Sequence, residues 1–507
     1  MRIAALLPAV LLAGCVQLPV LPAGPDVTSS PPAERGALAE RIGPAEAAHP
    51  GQSGFRLLTD GTEAFLIRAQ SARLAVQSLD VQTYIWHADL TGAYLGQVLL
   101  DAADRGVRVR LLVDDLDARA KNDGFAALAA HPNIEVRLFN PWATRNGKLS
   151  LAGESAFSFE RINRRMHNKS WIADNRIAVV GGRNVGDEYF GAGEEVNFID
   201  LDFAMLGRVV RDVSKTFDRF WNSPSAYPME VLDPDGVNEA ALLKLRNALA
   251  SRAAEARESR YAAALRGDDL VERMVAGEWP LQWSSKYEFV SDDPGKVTMK
   301  KRDVKRTHVG VSIVPMLQSA RARVAIISPY FVPGKEVTGG FSRMAAAGMS
   351  VRVLTNSLVA NDVAAVHGGY SRYRMALLEG GVQLWELKPT GSPGNSSMFG
   401  SSGASLHTKA FVVDGEKLFV GSYNLDPRST WLNCEQGVLV EDAVLARELE
   451  SLFEHQIAAA HAWRVTLERG KMRWSDGQST FDRDPEASGW QRFQAWATRF
   501  LRLDAQL

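Results

Sequence analysis

Two short motifs in the chain carry residue types that suit phosphate chemistry. Residues 166–184 and 406–424 both follow the pattern His-x-Lys-x4-Asp-x6-Gly-[Gly/Ser]-x-Asn, and their histidines, His167 and His407, are 407 − 167 = 240 positions apart. One His-x-Lys-x4-Asp string arises by chance in roughly a few per cent of chains of this length, whereas two copies with matching Gly and Asn are negligible by chance. The motifs therefore indicate a duplicated functional site.

The spacing predicts that both half-sites line one cavity. Alternate residues of a strand point to the same face, so each histidine should project together with the lysine two positions later. A second strand running back as a hairpin would return the motif asparagine to the same end. The side chains expected around a phosphate are Lys169, Lys409, Asn184, Asn424 and Ser422, with backbone N–H groups near Gly181 and Gly421.

Two histidines on a shared phosphate predict covalent chemistry. One imidazole attacks phosphorus, while the other protonates the leaving alkoxide and later deprotonates the incoming alcohol or water. The lysine pair supplies the positive charge that a metal ion would otherwise give, so we expect no metal and no other cofactor. Which histidine is the nucleophile stays open on these grounds.

The elements around the motifs repeat in one order. In the first half we predict strands over 75–85, 107–113 and 134–139 and helices over 92–105 and 124–130; in the second half, strands over 324–327, 351–355 and 382–387 and helices over 335–347 and 360–378. Matching strings are offset by 348 − 106 = 242 and 389 − 141 = 248 residues. An α/β fold of two duplicated units is expected, with mixed or parallel sheets covered on both faces.

Composition excludes several classes of protein. The 507 residues are 46% hydrophobic and 23% charged, which is ordinary for globular domains. Because 58 Lys plus Arg oppose 59 Asp plus Glu, the net charge is -1, and nucleic acid is disfavoured as a partner. Cys15 and Cys434 are the two cysteines, too few for a disulfide framework or a Cys-rich zinc module.

The first fifteen residues are typical of a bacterial lipoprotein signal peptide. An apolar run is followed by Leu-Ala-Gly before Cys15, which would be lipidated and become the mature N-terminus. An ordinary secretory signal with an incidental cysteine is the alternative. The proline-rich segment 16–50 is predicted to be an extended tether reaching on the order of 100 Å. Later residues offer no run of 18 apolar positions, so no spanning helix is expected.

These observations divide the chain into six segments. They are a signal peptide (1–15), a tether (16–50), an N-terminal half (51–223), a bridging insertion with no counterpart in the first half (224–307), a C-terminal half (308–465) and an amphipathic tail (466–507). The insertion ends in a basic cluster of Lys300, Lys301, Arg302, Lys305 and Arg306, which is either a solvated loop or a contact for anionic lipid. The tail, with aromatic residues at helical spacing from Trp490, either lies in a membrane interface or packs on the body.

The paired motifs resemble those of the phospholipase D superfamily over roughly residues 55–470. More narrowly, the strings at 80–86, 163–170, 191–195, 291–294, 354–358 and 424–429 are similar to bacterial cardiolipin synthases of the C type. The resemblance implies two α-β-α-β units packed as a pseudo-two-fold bilobal domain with one shared active site.

The resemblance also implies roles for individual residues. His167 would be the nucleophile and His407 the general acid and base, with Lys169, Lys409, Asn184 and Asn424 as phosphate ligands and Asp174 and Asp414 largely structural. Glu435 would be the acid that orients the histidine of its own half, and Asp200 its counterpart in the other half.

The implied activity is phosphatidyl transfer to phosphatidylglycerol from a glycerophospholipid, possible donors including phosphatidylethanolamine. We expect a monomer, because both half-sites are in one chain, anchored as a lipoprotein at a membrane of the bacterial envelope and facing the periplasm. Inner and outer membrane both stay open. Alternatives are a phospholipase D that forms phosphatidic acid, a phosphodiesterase or nuclease, and a lipid-binding relic without activity.

Overall fold

The computed structural model describes residues 18–21, 24–145, 154, 158–194, 196–255, 269–305, 307–361, 364–389 and 406–500. The predicted signal peptide with its Cys15 lies outside these described residues, as do Arg306 of the basic cluster and the last seven residues of the tail.

The elements up to residue 255 include the first half and the start of the bridging segment. In order these are α1 (Ala37–Ala48), β1 (Ser53–Leu58), α2 (Gly61–Leu74), β2 (Ser78–Thr83), α3 (Leu90–Asp104), β3 (Arg108–Asp114), α4 (Asp115–Ala118), α5 (Asn122–Ala129), β4 (Ile134–Phe139), α6 (Phe159–Ile162), β5 (Ser170–Ala173), β6 (Ile177–Gly181), α7 (Asp187–Phe190), β7 (Asp202–Gly207), α8 (Arg208–Trp221), β8 (Ala226–Pro228), α9 (Met229–Leu232) and α10 (Glu239–Glu255).

The remaining elements run from residue 270 onward. They are α11 (Leu270–Val275), β9 (Gln282–Ser284), β10 (Tyr287–Ser291), α12 (Lys301–Val304), α13 (Gly310–Gln318), β11 (Arg323–Ile327), α14 (Gly334–Ala346), β12 (Ser350–Asn356), α15 (Ala364–Glu379), β13 (Gln383–Leu387), β14 (Ala410–Val413), β15 (Lys417–Gly421), α16 (Pro427–Trp431), β16 (Gln436–Glu441), α17 (Ala443–Gln456), β17 (Ala462–Glu468), β18 (Lys471–Ser475), β19 (Thr480–Phe481) and α18 (Gly489–Phe500).

The strands form two mixed sheets with matching order. The first is β8-β4-β3-β2-β5-β6-β7-β1-β9 and the second is β10-β16-β15-β14-β11-β12-β13-β17-β18-β19. In both, three consecutive strands are parallel (β2, β3, β4 and β11, β12, β13). A hairpin follows each motif histidine (β5–β6 and β14–β15), and its first strand pairs antiparallel with β2 or β11. The predicted duplicated α/β fold is therefore confirmed, with strand ends within a few residues of those predicted.

A shared core lies between the two sheets. Along β6, Ala178 and Val180 belong to this core, while Ile177 and Val179 point to the helices on the outer face, as strand alternation requires. The same shared core includes Val412 of β14 and residues of α8 and α17. Since one continuous apolar core joins both sheets, the two halves are held face to face.

The predicted extended tether is wrong for the part of residues 16–50 that the structure describes from residue 24 onward. The Ser29 hydroxyl donates to the Asp218 carboxylate at 2.8 Å and accepts from Arg110 at 2.9 Å. The N–H of Ala33 donates to the carbonyl of Asp174, and α1 then buries its apolar side. Proline content alone suggested an extended segment, but specific tertiary contacts fix this part of the chain against the body.

The segment 224–307 does bridge the halves, but its description as an insertion without a counterpart is wrong. Its strand β9 pairs with β1 in the first sheet, and β10 pairs with β16 in the second. Because β10 adjoins β16 as β1 adjoins β7, β10 is the counterpart of β1. The second repeat therefore begins near Tyr287, about twenty residues before the predicted boundary.

The C-terminal tail is part of the second lobe. The predicted boundary at residue 465 cuts through β17, which pairs with β13, and β18 and β19 extend the same sheet. The helix α18 then packs on α15. No helix in the described part of the chain is long and apolar enough to cross a bilayer.

Candidate active site

The two motif histidines lie where the halves exchange backbone contacts. The N–H of His167 donates to the carbonyl of Cys434 at 2.8 Å, and the N–H of His407 donates to the carbonyl of Ile199 at 2.8 Å. Residues 166 and 434 form one isolated bridge, and residues 199 and 406 form the other. Each histidine is thus fixed by a segment of the opposite half.

A buried glutamate from the second half holds the first histidine. The Nδ1 atom of His167 lies 2.9 Å from Oε2 of Glu435, which is fully buried. The same carboxylate accepts from the hydroxyls of Ser422, at 2.5 Å, and Ser429, at 2.9 Å. The backbone N–H of Glu435 donates to the carboxylate of Asp292. Glu435 is therefore fixed in position from several directions.

The other histidine has the reciprocal arrangement. Nδ1 of His407 lies 2.5 Å from Oδ2 of Asp200, a buried residue of the first half whose other oxygen accepts from the N–H of Leu201. The expectation that each acid orients the histidine of its own half is therefore wrong. Because each histidine pairs with the segment of the opposite half, the acids cross between the lobes.

Burial sets the protonation of this network. Desolvation lowers the pKa of both His167 and His407 to about 4, although Glu435 and Asp200 oppose the shift. Burial alone would raise the pKa of each acid, but the paired histidine holds it below its ordinary value. At neutral pH, an ionised carboxylate can only accept a hydrogen bond, so each neutral imidazole carries its proton on Nδ1. Nε2 is left with a lone pair.

The motif lysines bring the two half-sites into electrostatic contact. Lys169 and Lys409 are buried, and each Nζ donates to the carbonyl of its own motif histidine, at 2.6 and 2.5 Å. Each ammonium also lowers the pKa of the histidine in the other half. The histidines and lysines do not lie on strands as predicted, because β5 and β14 begin only at Ser170 and Ala410.

The motif aspartates organise backbone rather than the cavity. Asp174 accepts from the N–H groups of residues 76, 77 and 78, which lead into β2. Asp414 accepts from those of residues 321, 322 and 323, which lead into β11. Both adopt positive φ in their hairpin turns, 52° and 55°. These contacts agree with the structural role inferred for the two aspartates.

The predicted phosphate ligands differ in their surroundings. The amide of Asn184 donates to the Tyr189 hydroxyl at 2.9 Å. The Oδ1 of Asn424 is buried without a hydrogen-bond partner in the described chain, so a bound substrate could donate to it. The assignment of Ser422 to phosphate is wrong for this structure, since its hydroxyl donates to Glu435 and accepts from the N–H of Gln436.

The glycine at the position equivalent to Ser422 has a steric explanation. A Cβ at Gly182 would lie 2.2 Å from Oδ1 of Asp200, far inside van der Waals contact. The first half therefore combines a glycine with the shorter acid, where the second half combines a serine with the longer one.

Aromatic side chains flank both imidazoles, and the sequence motifs did not point to them. The ring of Tyr84 meets that of His167 edge-on at 5.0 Å, and Tyr189 meets His407 in the same way at 5.2 Å. Phe198 adds a second ring beside His407 at 5.4 Å. Tyr84 lies within the string 80–86 that carried the family resemblance, which is the signal that could have identified it.

Two buried aspartates hold the backbone beside the reacting groups, and both were missed. Asp114 accepts from the N–H of Met166, and Asp292 accepts from that of Glu435, both at 2.8 Å. Desolvation raises the pKa of each aspartate to about 6, although Arg165 lowers the pKa of Asp114 and Lys296 lowers that of Asp292. Asp292 lies within the string 291–294 that carried the family resemblance, which is the signal that could have identified it.

Within the described residues, His87, Asp89 and Glu188 form the group with metal-ligand composition. Asp89 already caps α3 by accepting from Gly92 and also accepts from the N–H of Asp187, while Glu188 is paired with His87. The group contains neither motif histidine. Its geometry is explained by these protein contacts.

Comparisons with known proteins agree with this geometry. The family model described as "Cardiolipin synthase, PLD-like domain" matches residues 67–221 and 313–457. Cardiolipin synthase C of Escherichia coli (strain K12) is 41% identical over 466 residues, covering 90% of this chain and 96% of that protein. Cardiolipin synthase A of Pseudomonas syringae pv. syringae (strain B728a) is 26% identical over 400 residues, covering 78% of this chain and 67% of that protein.

A solved structure shares the fold. The crystal structure of phosphatidylserine synthase from Haemophilus influenzae Rd KW20 superimposes with a TM-score of 0.57 at 12% sequence identity. The match covers 92% of this chain and 98% of that one, so both lobes have counterparts in the same arrangement.

Proposed function

The chain belongs to the cardiolipin synthase family of phospholipase D-like proteins, and from this premise we propose that it is a phosphatidyltransferase that makes cardiolipin through a phosphohistidine. The observation that carries the proposal is the reciprocal pair of buried His–carboxylate contacts, one from each lobe to the other. This arrangement leaves two imidazole Nε2 atoms for one phosphodiester.

In the first step, Nε2 of His167 attacks the phosphorus of a glycerophospholipid. An N–P bond forms, the P–O bond to the headgroup alcohol breaks, and His407 donates a proton to the leaving oxygen. His407 is neutral in the free site, but the negative phosphodiester raises its pKa, so the ring takes up a proton from solvent when substrate binds, and the first step consumes that proton. Lys169 and Lys409 stabilise the negative charge that builds on the phosphoryl oxygens.

In the second step, a hydroxyl of phosphatidylglycerol attacks the phosphatidyl-histidine. His407 takes the proton of that hydroxyl, the N–P bond breaks, and cardiolipin leaves with His167 restored. Glu435 and Asp200 keep each Nδ1–H oriented and stabilise any imidazolium that forms. Asn184 and Asn424 line the phosphate site, and Asp174 and Asp414 keep the hairpins in place. We assign the donor to phosphatidylethanolamine or a second phosphatidylglycerol.

The setting proposed for this reaction is a bacterial membrane surface. Residues 1–14 would be removed by cleavage before Cys15, and acylated Cys15 would anchor a monomeric enzyme that faces the periplasm. Family membership supports phospholipid substrates and membrane association, while the lipid anchor rests on the N-terminal sequence alone.

The test is a product analysis with defined lipids. The purified protein should form cardiolipin from phosphatidylglycerol with or without phosphatidylethanolamine, and a comparison of the two mixtures identifies the donor. His167→Asn should abolish the product and any covalent incorporation of lipid phosphate. The exposed histidine variant His455→Asn is the matched control and should retain both.

Three results would contradict the proposal. Phosphatidic acid as the sole product would indicate a hydrolase, and cleaved plasmid with unchanged lipid would indicate a nuclease. Full activity of His407→Asn would contradict the two-histidine scheme.

A further inference from the structure

We propose that the exposed aromatic face of α18 docks this protein onto an anionic phospholipid bilayer, with the active-site end of the molecule turned toward the lipid. The active-site end is the end at which β5 and β14 begin and β11 and β12 finish. The inference rests on the proposed function, because it concerns how a lipid-bound substrate reaches the same site.

Three aromatic side chains of α18 lie on the surface. Trp490, Phe493 and Trp496 are 62%, 51% and 55% exposed, respectively. Their rings stack in a row, with centroids 5.5 and 5.9 Å apart. Single exposed apolar residues are ordinary, but a contiguous Trp-Phe-Trp row is typical of a membrane-interface contact.

The opposite face of α18 fixes the helix on the second lobe. Its Ala495 packs with Leu358 and Val359. A Cβ at Gly368 of α15 would lie 2.2 Å from Oγ1 of Thr498, so glycine is needed for the two helices to approach this closely. The aromatic row therefore belongs to a docked helix and projects from a rigid support.

The support places the aromatic row at the active-site end. Leu358 comes two residues after the end of β12, whose last residue, Asn356, donates from its amide to the carbonyl of Leu406 at 3.0 Å. Leu406 directly precedes His407. The segment that packs on α18 is thus continuous with the segment that holds the catalytic histidine.

Other exposed apolar side chains occur at this same end. Leu116 comes two residues after the end of β3, and Phe159 lies eight residues before His167; both are exposed. They come from the first lobe, whereas α18 belongs to the second. Apolar anchors therefore lie on both lobes at the end that contains the reacting groups.

The basic cluster is also near this end. Of its described members, Lys300, Lys301, Arg302 and Lys305 are all exposed. The ammonium of Lys301 lies 4.9 Å from the ring centroid of Trp431 in α16, and Arg428 of that helix donates to the carbonyl of Asn163, four residues before His167. Exposed cations at the same end of the molecule as the exposed aromatic side chains favour a negatively charged lipid surface over a neutral one.

A bilayer is the occupant that fits these observations together. The substrates of the proposed reaction reside in a membrane, so their phosphates must enter from a lipid surface. Aromatic anchors and cations at the entry end would hold that surface against the site, whereas a protein partner there would obstruct substrate entry.

The experiment compares two surfaces of the mature chain, which begins at residue 15. Trp490→Ser/Phe493→Ser/Trp496→Ser is tested against the matched control Leu243→Ser/Val444→Ser, which removes exposed apolar side chains from α10 and from the start of α17, the latter at the end opposite the site. All chains lack residues 1–14 and carry Cys15→Ser, so that neither the apolar signal peptide nor an acyl chain contributes to vesicle binding. Flotation with vesicles of phosphatidylcholine and phosphatidylglycerol measures binding, and thermal unfolding checks that both variants fold.

We expect the aromatic variant to bind these vesicles about tenfold or more weakly, while the control binds like the parent chain. Binding should also weaken with added salt and with Lys300→Gln/Lys301→Gln/Arg302→Gln/Lys305→Gln. Equal vesicle binding by the folded aromatic variant would overturn the proposal, as would loss of binding in the control alone.

A soluble substrate separates docking from chemistry. With dihexanoyl phosphatidylglycerol below its micelle concentration, the aromatic variant should turn over as fast as the parent, and it should lose rate only on vesicles. Equal losses on both substrates would overturn the docking role. If the parent bound vesicles but turned over neither substrate, the proposed function would fail while the docking surface would stand.

Discussion

His167 and His407 owe their reactivity to what their Nδ1 atoms contact. A buried carboxylate accepts a hydrogen bond from the Nδ1–H of each ring, which fixes the tautomer and leaves Nε2 available to phosphorus or oxygen. Desolvation at the same time keeps the rings neutral, with pKa values near 4. In the proposed mechanism, a neutral nucleophile is therefore present in the free site, and the negative charge of the substrate raises the pKa of the general acid.

The lowered histidine pKa values predict how stability depends on pH. Between about pH 6.5, where histidines of the unfolded chain titrate, and about pH 4, where His167 and His407 titrate in the folded chain, these two residues bind more protons in the unfolded state. Their contribution to the free energy of unfolding therefore falls as the pH drops through this window, whereas Asp114 and Asp292, whose pKa is raised to about 6, contribute with the opposite sign. Compared with the parent chain, His167→Gln/His407→Gln should lose less stability, or gain more, between pH 7 and pH 5, as measured by denaturant unfolding.

The matched control for this measurement is His455→Asn/His461→Asn, which changes two exposed histidines. Its pH dependence should follow that of the parent chain. If removing the two motif histidines left the slope unchanged, they would not be held neutral by the fold.

At the scale of elements, the β5–β6 and β14–β15 hairpins decide where the motif groups lie. The residue that directly follows each hairpin contacts the acid of the same half. Ser422 follows β15 and donates to Glu435, whereas Gly182 follows β6 and leaves space for the carboxylate of Asp200. Each acid in turn contacts the histidine of the opposite hairpin. A change at the end of one hairpin should therefore affect the histidine of the other.

Gly182→Ser tests this arrangement. Its Cβ would meet the Asp200 carboxylate at 2.2 Å and displace it from Nδ1 of His407. We expect kcat to fall by at least about tenfold, the scale of lost orienting contacts, with little change in KM. Steady-state kinetics on the lipid substrate give both constants.

Gly124→Ser is the control for this prediction, because a Cβ at Gly124 meets nothing within 4 Å. It should leave kcat unchanged. A wild-type kcat for folded Gly182→Ser would contradict the role given to the Asp200 contact.

At the scale of the whole molecule, the two lobes form one site and share one core. Neither lobe supplies both members of a His–acid pair, since Glu435 reaches His167 and Asp200 reaches His407 across the interface. The core between the sheets therefore also fixes the geometry of the reacting groups.

The crossed pairing predicts a specific pattern of coupling. Glu435→Gln should perturb the ring nitrogens of His167 and spare His407, while Asp200→Asn should do the reverse. Long-range ¹H–¹⁵N correlation spectra of histidine-labelled full-length protein report the tautomer and protonation of each ring. Glu441→Gln, which removes an exposed carboxylate at the far end of β16, should change neither ring.

Perturbation of His407 by Glu435→Gln with His167 unaffected would be the result expected if each acid served its own half. That outcome would contradict the pairing seen in the structure.

The sequence by itself determined the repeated α/β plan, the paired motifs and the family. Hydrophobic periodicity and motif spacing are local properties, so they located β3, β4, β12 and β13 closely and identified the histidines and lysines. The structural role of Asp174 and Asp414 came from the family resemblance, since the N–H groups that they bind lie 98 and 91 residues away in the chain.

Only the tertiary structure decided how these pieces meet. Spacing along the chain carries no information about which acid faces which imidazole, so the crossing of Glu435 and Asp200 emerged only when the sheets packed face to face. Sequence spacing also did not show that the hydroxyl of Ser422 donates to the carboxylate of Glu435, 13 residues away. Nor did it show that β10 joins the second sheet by pairing with β16. The docked course of residues 24–48 has the same cause, because contacts with distant residues outweigh the extended preference of a proline-rich segment.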